Sequence, residues 1–298
     1  MLISSKTKKI MSIEIKLGEY NLLRVKEEAR REGFGEVFGM YLDAGREGEI
    51  LMPQKYVPEG TKPGDEIECF IYLDQDERPI ATTEKPFAKV GDFAYLKCSW
   101  VNEYGAFLDW GLTKDIFCPF REQKKRMEIG DSYIVHIHID EDSYRIVASA
   151  KIEHYMQETD DTCELKRGSE TDILIWQKTD LGFKVIVDNS YPGLIYEDQI
   201  FKYVHTGDHM KAYVSNMRPD GKIDLSLQPL GIAAAEDFST TLLDYIKNND
   251  GYCTLNDKSD PEEIKRQFHV SKKVFKKAVG DLYKKKMIKL ADDGLHLA

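Results

Sequence analysis

The sequence predicts a mainly β protein with a C-terminal α+β domain. Three small five-stranded barrels stand in tandem, and three helices with a closing hairpin follow them. Three observations carry this expectation: an internal repeat with three marks that move together, five strand-like runs within each repeat, and a change of period after Gln228.

The repeat shows first as a glycine flanked by apolar and aromatic residues, at Gly39 (Phe38-Gly-Met-Tyr41), Gly105 (Tyr104-Gly-Ala-Phe107) and Gly182 (Leu181-Gly-Phe183). The steps are 66 and 77 residues. Gly-Asp pairs at Gly64-Asp65, Gly130-Asp131 and Gly207-Asp208 mark a turn before a β-run and move by the same steps. A closing strand, carrying Ala81, Ala148 and Leu225, moves by 67 and 77. Self-similarity at a fixed period is the signature of repeated structural units.

Within the second repeat the five runs are YLKCSWV (95–101), GAFLDWG (105–111), DIFCPF (115–120), YIVHIHI (133–139) and RIVASA (145–150). Each alternates or runs apolar, is rich in β-branched and aromatic residues, and is bounded by turn residues. Five strands in about 70 residues match a closed barrel of the OB type, and closure removes the edges that loose strands would expose. The first repeat carries seven extra residues in the charged KEEARREGFGE stretch, read as an extended loop or hairpin between strands one and two. The expected boundaries are a lead at 1–12 with a natural start at Met11, barrels at 13–84, 85–152 and 163–230, an acidic linker at 153–162, and a final domain at 236–298.

After Gln228 the apolar spacing becomes helical. FSTTLLDYIKNN (238–249) puts Phe238, Leu242, Leu243 and Ile246 on one side. Asp260 is placed to cap a second helix that opens with Pro261, Glu262 and Glu263. Ser271 caps a third, whose expected buried stripe is Val274, Ala278, Leu282 and Tyr283. Asp292-Asp293-Gly294 reads as the turn of a last hairpin. Helix, helix, helix, hairpin is the order of a winged-helix domain.

The composition is that of a globular chain, 42% hydrophobic and 32% charged. With no apolar run of spanning length and no signal-peptide pattern, the expected location is the cytoplasm. Cys69, Cys98, Cys118, Cys163 and Cys253 are odd in number and widely spaced, so free, buried or half-buried thiols are expected rather than disulfides or zinc ligands. The net charge of −10 weighs against binding of phosphates by the whole surface. The acid is uneven: residues 236–298 hold 12 Lys and Arg against 11 Asp and Glu, the preceding residues 30 against 41. Aromatic faces, which need no net charge, still allow unpaired bases to stack.

The marks resemble the S1 RNA-binding domain. The echoes are FGMYL, YGAFL and LGFKV on strand two, GEILMP, KDIFCP and PGLIYE on strand three, and DQDERPIATT, DEDSYRIVAS and RPDGKIDLSL at the last hairpin. Three such S1-like units followed by a winged helix resemble the conserved virulence factor B family of bacterial RNA-binding regulators. The resemblance implies a ligand face made of strand-two aromatics, a strand-three aromatic or His, and an Asp and a basic residue near the last hairpin. That implies Phe38, Tyr41, Asp74 and Arg78 in the first barrel. In the second it implies Tyr104, Phe107 and Arg145, with Asp140 offset by one residue, and in the third Tyr196 and Lys222. Met52 and Cys118 occupy the expected strand-three His position, Leu181 and Lys184 replace the third aromatic pair, and Asn216 stands near the acidic position.

Physical chemistry supports a stacking face independently. Residues i and i+3 do not share a face of an ideal strand, so a bulge at the glycine is expected to bring each aromatic pair together. About one in three of these aromatics is expected to fill the barrel core instead. The third helix carries Lys272, Lys273, Lys276 and Lys277 as candidate phosphate contacts, but no Arg, Asn or Gln to read base edges. A solvated lysine face is the equal alternative.

His136 and His138 share a strand face without a third ligand nearby, so no metal or other cofactor is expected. His205 and His209 are expected at the surface. The acidic runs 74–77 and 140–142 read as turns, and no nucleotide-binding or hydrolase motif is present. The expected function is that of a non-enzymatic regulator that binds single-stranded RNA, with DNA at the winged helix or a protein partner also open and no membrane association. The rival is a scaffold whose acidic barrels bind a basic ribosomal or transcription component.

Overall fold

Strands alternate inward and outward residues along the repeats, and the computed structural model closes them into barrels. It describes residues 15–31, 33, 35–160, 163–200, 203–229 and 232–298. The expected lead at 1–12, with the start at Met11, lies outside the described residues, as do 161 and 162 of the expected linker. The chain divides into two units, residues 1–154 and 155–298.

In the first unit, β1 (Tyr20–Arg30), β2 (Val37–Asp43), β3 (Glu49–Pro53), β4 (Glu66–Leu73) and β5 (Pro79–Thr82) close in the order β1-β2-β3-β5-β4. Then β6 (Phe93–Val101), β7 (Gly105–Asp109), β8 (Ile116–Pro119), β9 (Ser132–Ile139) and β10 (Ile146–Ser149) close the same way. In each barrel the last strand runs parallel to the third, through Leu51↔Ile80 and Phe117↔Val147. The charged insertion of the first barrel is a strand extension: β1 continues to Arg30, which pairs with Val37.

The sequence marks have steric causes. A Cβ added at Gly39, Gly105 or Gly182 would meet a strand-three carbonyl oxygen, of Met52, Cys118 or Ile195, at 2.2, 2.4 or 2.0 Å. Only glycine admits so close an approach. The Gly-Asp turns tie back to strand one at the residue before its bulge. Gly64 N–H donates to Val25 O, Gly130 N–H to Cys98 O, and Gly207 N–H to Ile175 O, at 2.8, 2.9 and 2.8 Å. The following Asp carbonyl accepts from the same three residues.

The two barrels of this unit share one core. Phe70 and Tyr72 of β4 belong to the cluster formed by Leu96, Cys98, Leu108 and Trp110 of the second barrel. Phe70 is fully buried and stands edge-on to Tyr20 and Trp110, with centroids 5.3 and 5.7 Å away. Tyr56 and Thr113 share a 2.9 Å hydroxyl hydrogen bond. Apolar burial of this kind joins the barrels into a single body.

In the second unit, β11 (Glu170–Thr179), β12 (Gly182–Val187), β13 (Tyr191–Tyr196), β14 (His209–Met217) and β15 (Ile223–Ser226) close the third barrel. Its core is Ile173, Ile175, Val185, Val187, Ile195 and their neighbours. The winged-helix elements are α1 (Ile232–Asn248), β16 (Tyr252–Cys253), α2 (Pro261–Phe268), α3 (Lys272–Lys284), β17 (Ile288–Ala291) and β18 (Gly294–Leu297).

Asp260 accepts from Glu262 N–H and Ser271 from Val274 N–H, so both expected caps form. The α3 stripe differs from the expectation: Phe275, Ala278, Val279 and Leu282 are buried, Val274 is half-buried and Tyr283 is 54% exposed. Phe275 contacts Phe238 and Phe268, and this aromatic cluster sets the rotation of the helix. The short β16, which was not expected, pairs with β18. Among the described residues no helix is long and apolar enough to cross a membrane.

Candidate nucleic-acid interface

The second barrel presents an aromatic platform. Period-two alternation turns Ala106 and Leu108 of β7, and Ile116 and Cys118 of β8, into the core. Phe107 and Phe117 therefore face outward, paired across the two strands. A bulge between Cys98 and Trp100 sets Trp100 opposite Phe107. The Trp100 and Phe107 rings stack at 3.9 Å and 5°, and Phe117 leans on Phe107 at 4.9 Å. Trp100 is 45% exposed. Tyr104, 66% exposed, lies in the turn before β7, where the Asn102 side chain accepts from the N–H groups of Tyr104 and Gly105 at 2.8 and 3.0 Å.

Two expectations are corrected by this register. The bulge that builds the face is on strand one, not at the glycine, whose role is the close approach to strand three. Cys118 and Met52 are not at the outward strand-three position. Both are fully buried, and Phe117 and Leu51 hold that position. Trp100 and Phe117 were missed. Their signal was present as the outward alternates of YLKCSWV and DIFCPF, but reading it requires knowing which alternate faces in.

The other barrels carry different residues at the same register. In the first, Glu27, Tyr41 and Leu51 stand where Trp100, Phe107 and Phe117 stand in the second, with Phe38 at the edge, 37% exposed. In the third the equivalents are Gln177, Lys184 and Leu194. Lys184 Nζ lies 5.1 Å from the Trp176 ring centroid, a cation–π arrangement. Phe38, Tyr41, Tyr104 and Phe107 all stay out of the cores, against the expectation that one in three would fill them, whereas Phe183 is buried.

Several predicted polar residues are engaged in local structure. Asp74 accepts the N–H groups of Asp76 and Arg78 and is gripped by the Arg78 guanidinium at 2.9 Å. Burial would raise its carboxyl, but the Arg78 hydrogen bonds outweigh that and hold it below the usual range. Asp140 caps its turn through Ser143 and pairs with Arg121, and these bonds lower its carboxyl likewise. Lys222 pairs with Asp220 at 3.2 Å. Tyr196, 37% exposed, borders a hollow with Leu181 and the carboxylates of Asp180, Glu197 and Asp224. Asn216 donates to Asp224 at 3.3 Å.

Arg145 lies at a groove of about 320 Å³ where the first two barrels meet. Its walls include Leu73, Tyr104, Phe107 and Phe117. Lys114 and Glu77 also line it; Lys114 was not singled out from the sequence, and Glu77 was read only as part of the acidic turn 74–77. Glu77 belongs to the hairpin of the first barrel and reaches Lys114 at 3.1 Å and Arg145 at 3.5 Å. Beside it, burial pushes the Asp115 carboxyl up, against a hydrogen bond from Ser99.

On α3, Lys273, Lys276 and Lys277 are exposed and aligned opposite the buried stripe, while Lys272 is half-buried with its ammonium on the Lys258 carbonyl. Among the described residues no group of three or more His, Cys, Asp or Glu is placed to hold a metal ion. His205 and His209 are exposed. Cys69, Cys98, Cys118 and Cys253 are buried and Cys163 half-buried. Burial pushes the Cys69 and Cys118 thiols up to about 12, out of the nucleophilic range.

Comparison with known proteins agrees with this architecture. Residues 17–84 match the S1 domain and residues 240–297 the CvfB-like winged helix domain. The chain is thus a multidomain protein of S1 barrels and a winged helix, a class built from nucleic-acid-binding folds. It is 25% identical to conserved virulence factor B of Staphylococcus epidermidis over 86% of this chain and 90% of that one. It is 26% identical to the uncharacterized protein YitL of Bacillus subtilis, over 83% and 84%. A crystal structure of a multidomain protein with nucleic acid binding domains from Streptococcus pneumoniae aligns over 95% of this chain and 98% of that chain, at 23% identity and a TM-score of 0.41. Over most of its length the chain is thus similar to conserved virulence factor B proteins.

Proposed function

We propose that this protein is a non-enzymatic, cytoplasmic regulator of gene expression that binds single-stranded RNA, and that the second barrel is its principal contact. The observation that carries this reading is the stacked Trp100–Phe107 pair with Phe117 beside it. Unpaired bases stack on such platforms, and single-stranded segments are the form in which RNA offers its bases. Arg145, 57% exposed, stands beside the platform to meet a phosphate. Phe38 and Tyr41 in the first barrel, with Asp74 and Arg78 at its hairpin, form a second, smaller contact. Tyr196 and Lys222 form a third. Lys272, Lys273, Lys276 and Lys277 supply phosphate contacts without base reading, to RNA or to DNA at the winged helix. Contacts linked on one chain add by effective concentration.

The scaffold reading is favoured by one observation, the acidic hollow of the third barrel around Asp180, Glu197 and Asp224, which suits a basic protein partner. Titration of fluorescent single-stranded RNA into the full chain tests both readings. Micromolar or tighter binding that Trp100→Ala/Phe107→Ala removes supports the barrel face. Binding that survives this variant and falls steeply with salt moves the site to the α3 lysines. Absence of binding leaves the scaffold.

A further inference from the structure

The groove between the first two barrels has a feature that phosphate binding does not explain: two carboxylates, Glu77 and Asp115, line it, and Glu77 is the one that meets its cations. Glu77 is carried by the β4–β5 hairpin of one barrel but lines the groove beside the aromatic face of the other. Its placement is built. Asp74 holds the turn through its bonds to Asp76 and Arg78, and Glu77 itself takes a left-handed backbone conformation, φ 60°. One carboxylate oxygen meets Lys114 and the other Arg145, so the side chain is braced from two sides. The Lys114 ammonium also donates to the Asp74 carbonyl at 2.7 Å, which ties this side of the groove to the hairpin.

A groove meant only for phosphate would leave Arg145 and Lys114 uncovered. A groove meant for a base needs apolar walls and a polar end that matches one edge of that base. Leu73, Phe107 and Phe117 provide the walls. At the polar end, the carboxylate accepts and does not donate, and its two oxygens keep further lone pairs after meeting two cations. Of the four bases only guanine offers two neighbouring N–H donors on its Watson–Crick edge, the ring N1–H and the 2-amino group. Adenine and cytosine set an amino group beside a ring acceptor, which a carboxylate oxygen repels. Uracil offers a single N–H between two carbonyls.

We infer that the groove is a one-base pocket shared by the first two barrels and selective for guanine, with Glu77 as the specificity-determining residue. The base lies against Phe107 and Phe117, its Watson–Crick edge meets Glu77, and Lys114 and Arg145 hold the carboxylate in place and face the adjoining phosphate. This rests on the RNA-binding reading above and names what that site selects. The core that the two barrels share around Phe70 sets the Glu77 hairpin beside the platform.

The test compares uridine-rich single-stranded RNAs that differ at one central position: guanosine, inosine, adenosine or uridine. Each is titrated into the full chain and into Glu77→Gln, with circular dichroism of the variant to show that it folds. A matched pair of hydrogen bonds discriminates by about tenfold or more. The wild type is expected to bind the guanosine RNA about tenfold better than the adenosine RNA, with inosine between, since it keeps N1–H and lacks the 2-amino group. Glu77→Gln is expected to erase that order while its affinity for the uridine RNA stays within about threefold. Equal binding of all four RNAs by the wild type overturns the inference. So does an order that persists in Glu77→Gln, or a variant that tightens on every RNA alike, which would make Glu77 a repeller of phosphate. In those cases loss of binding in Trp100→Ala/Phe107→Ala still leaves the barrel face as the RNA site. Failure of the wild type to bind any of the RNAs overturns both readings together.

Discussion

The second and third barrels share a frame and differ in what they present. Both close in the same strand order, both place a glycine against a strand-three carbonyl, and both tie a Gly-Asp turn to strand one ahead of a bulge. On that frame the second barrel sets Trp100, Phe107 and Phe117 in one register row, and the third sets Gln177, Lys184 and Leu194. The inside of a small barrel is constrained by packing and backbone approach, whereas outward residues of the same strands are free to differ. The contrast teaches that repeats alike in sequence spacing need not be alike in ligand, and that the binding assignment has to be made barrel by barrel.

The sharpest way to break the comparison is to strip each face in turn. Trp100→Ala/Phe107→Ala is expected to weaken binding of single-stranded RNA by about tenfold to a hundredfold, since each stacked base is worth about 1–3 kcal/mol. Lys184→Ala is expected to cost a few-fold at low salt and to lower the slope of log affinity against log salt by about 0.7. Fluorescence anisotropy over a salt series reads both. Equal losses would mean that the two faces work alike despite their residues.

The shared frame is tested by Gly105→Ala and Gly182→Ala. Each Cβ would press on a carbonyl oxygen, so both variants are expected to lose roughly 1–3 kcal/mol of stability in denaturant titrations. The Gly182 variant is expected to lose more, because its φ of 139° adds backbone strain. A neutral Gly105→Ala would show that the strand approach is looser than the geometry requires.

The smallest expected effect concerns acid. His136 sits on Phe93 at 4.8 Å, in the place held by Phe70 in the first barrel and Tyr213 in the third. Burial, with the neighbouring His138, pulls its pKa down to about 4. The unfolded chain takes up a proton near pH 6.5 and the folded barrel near 4, so stability is complete above pH 6.5 and declines as pH falls through that window. The first unit is expected to lose on the order of 1–2 kcal/mol between pH 7 and 5. His136→Phe is expected to remove that dependence while keeping the ring contact. Thermal melts at several pH values measure it.

Much of the fold was legible because its causes are local. A carbonyl 2.4 Å from a would-be Cβ demands glycine at Gly105, and that demand recurs at each repeat, so the spacing can be read in one dimension. The caps Asp260 and Ser271 act within a single turn and were equally plain. The candidate site was legible in part. Tyr104 and Phe107 flank Gly105, but Trp100 joins them only through a bulge whose position depends on the Gly-Asp turn roughly thirty residues later. Asp74 and Arg78 matched the family pattern, yet they bond chiefly to each other and to Asp76.

By itself the sequence determined three five-stranded units, the strand limits of the second to within a few residues, the capped helices and the family resemblance, because alternation, turn chemistry and glycine sterics act between near neighbours. Only the tertiary structure decided which alternates face outward, how α3 is rotated, and that the first two barrels share a core around Phe70. It alone decided that Glu77 of one barrel faces Arg145 of the next. Those outcomes depend on closure and on packing between segments far apart in the chain, and contacts of that range leave no spacing for a sequence to show.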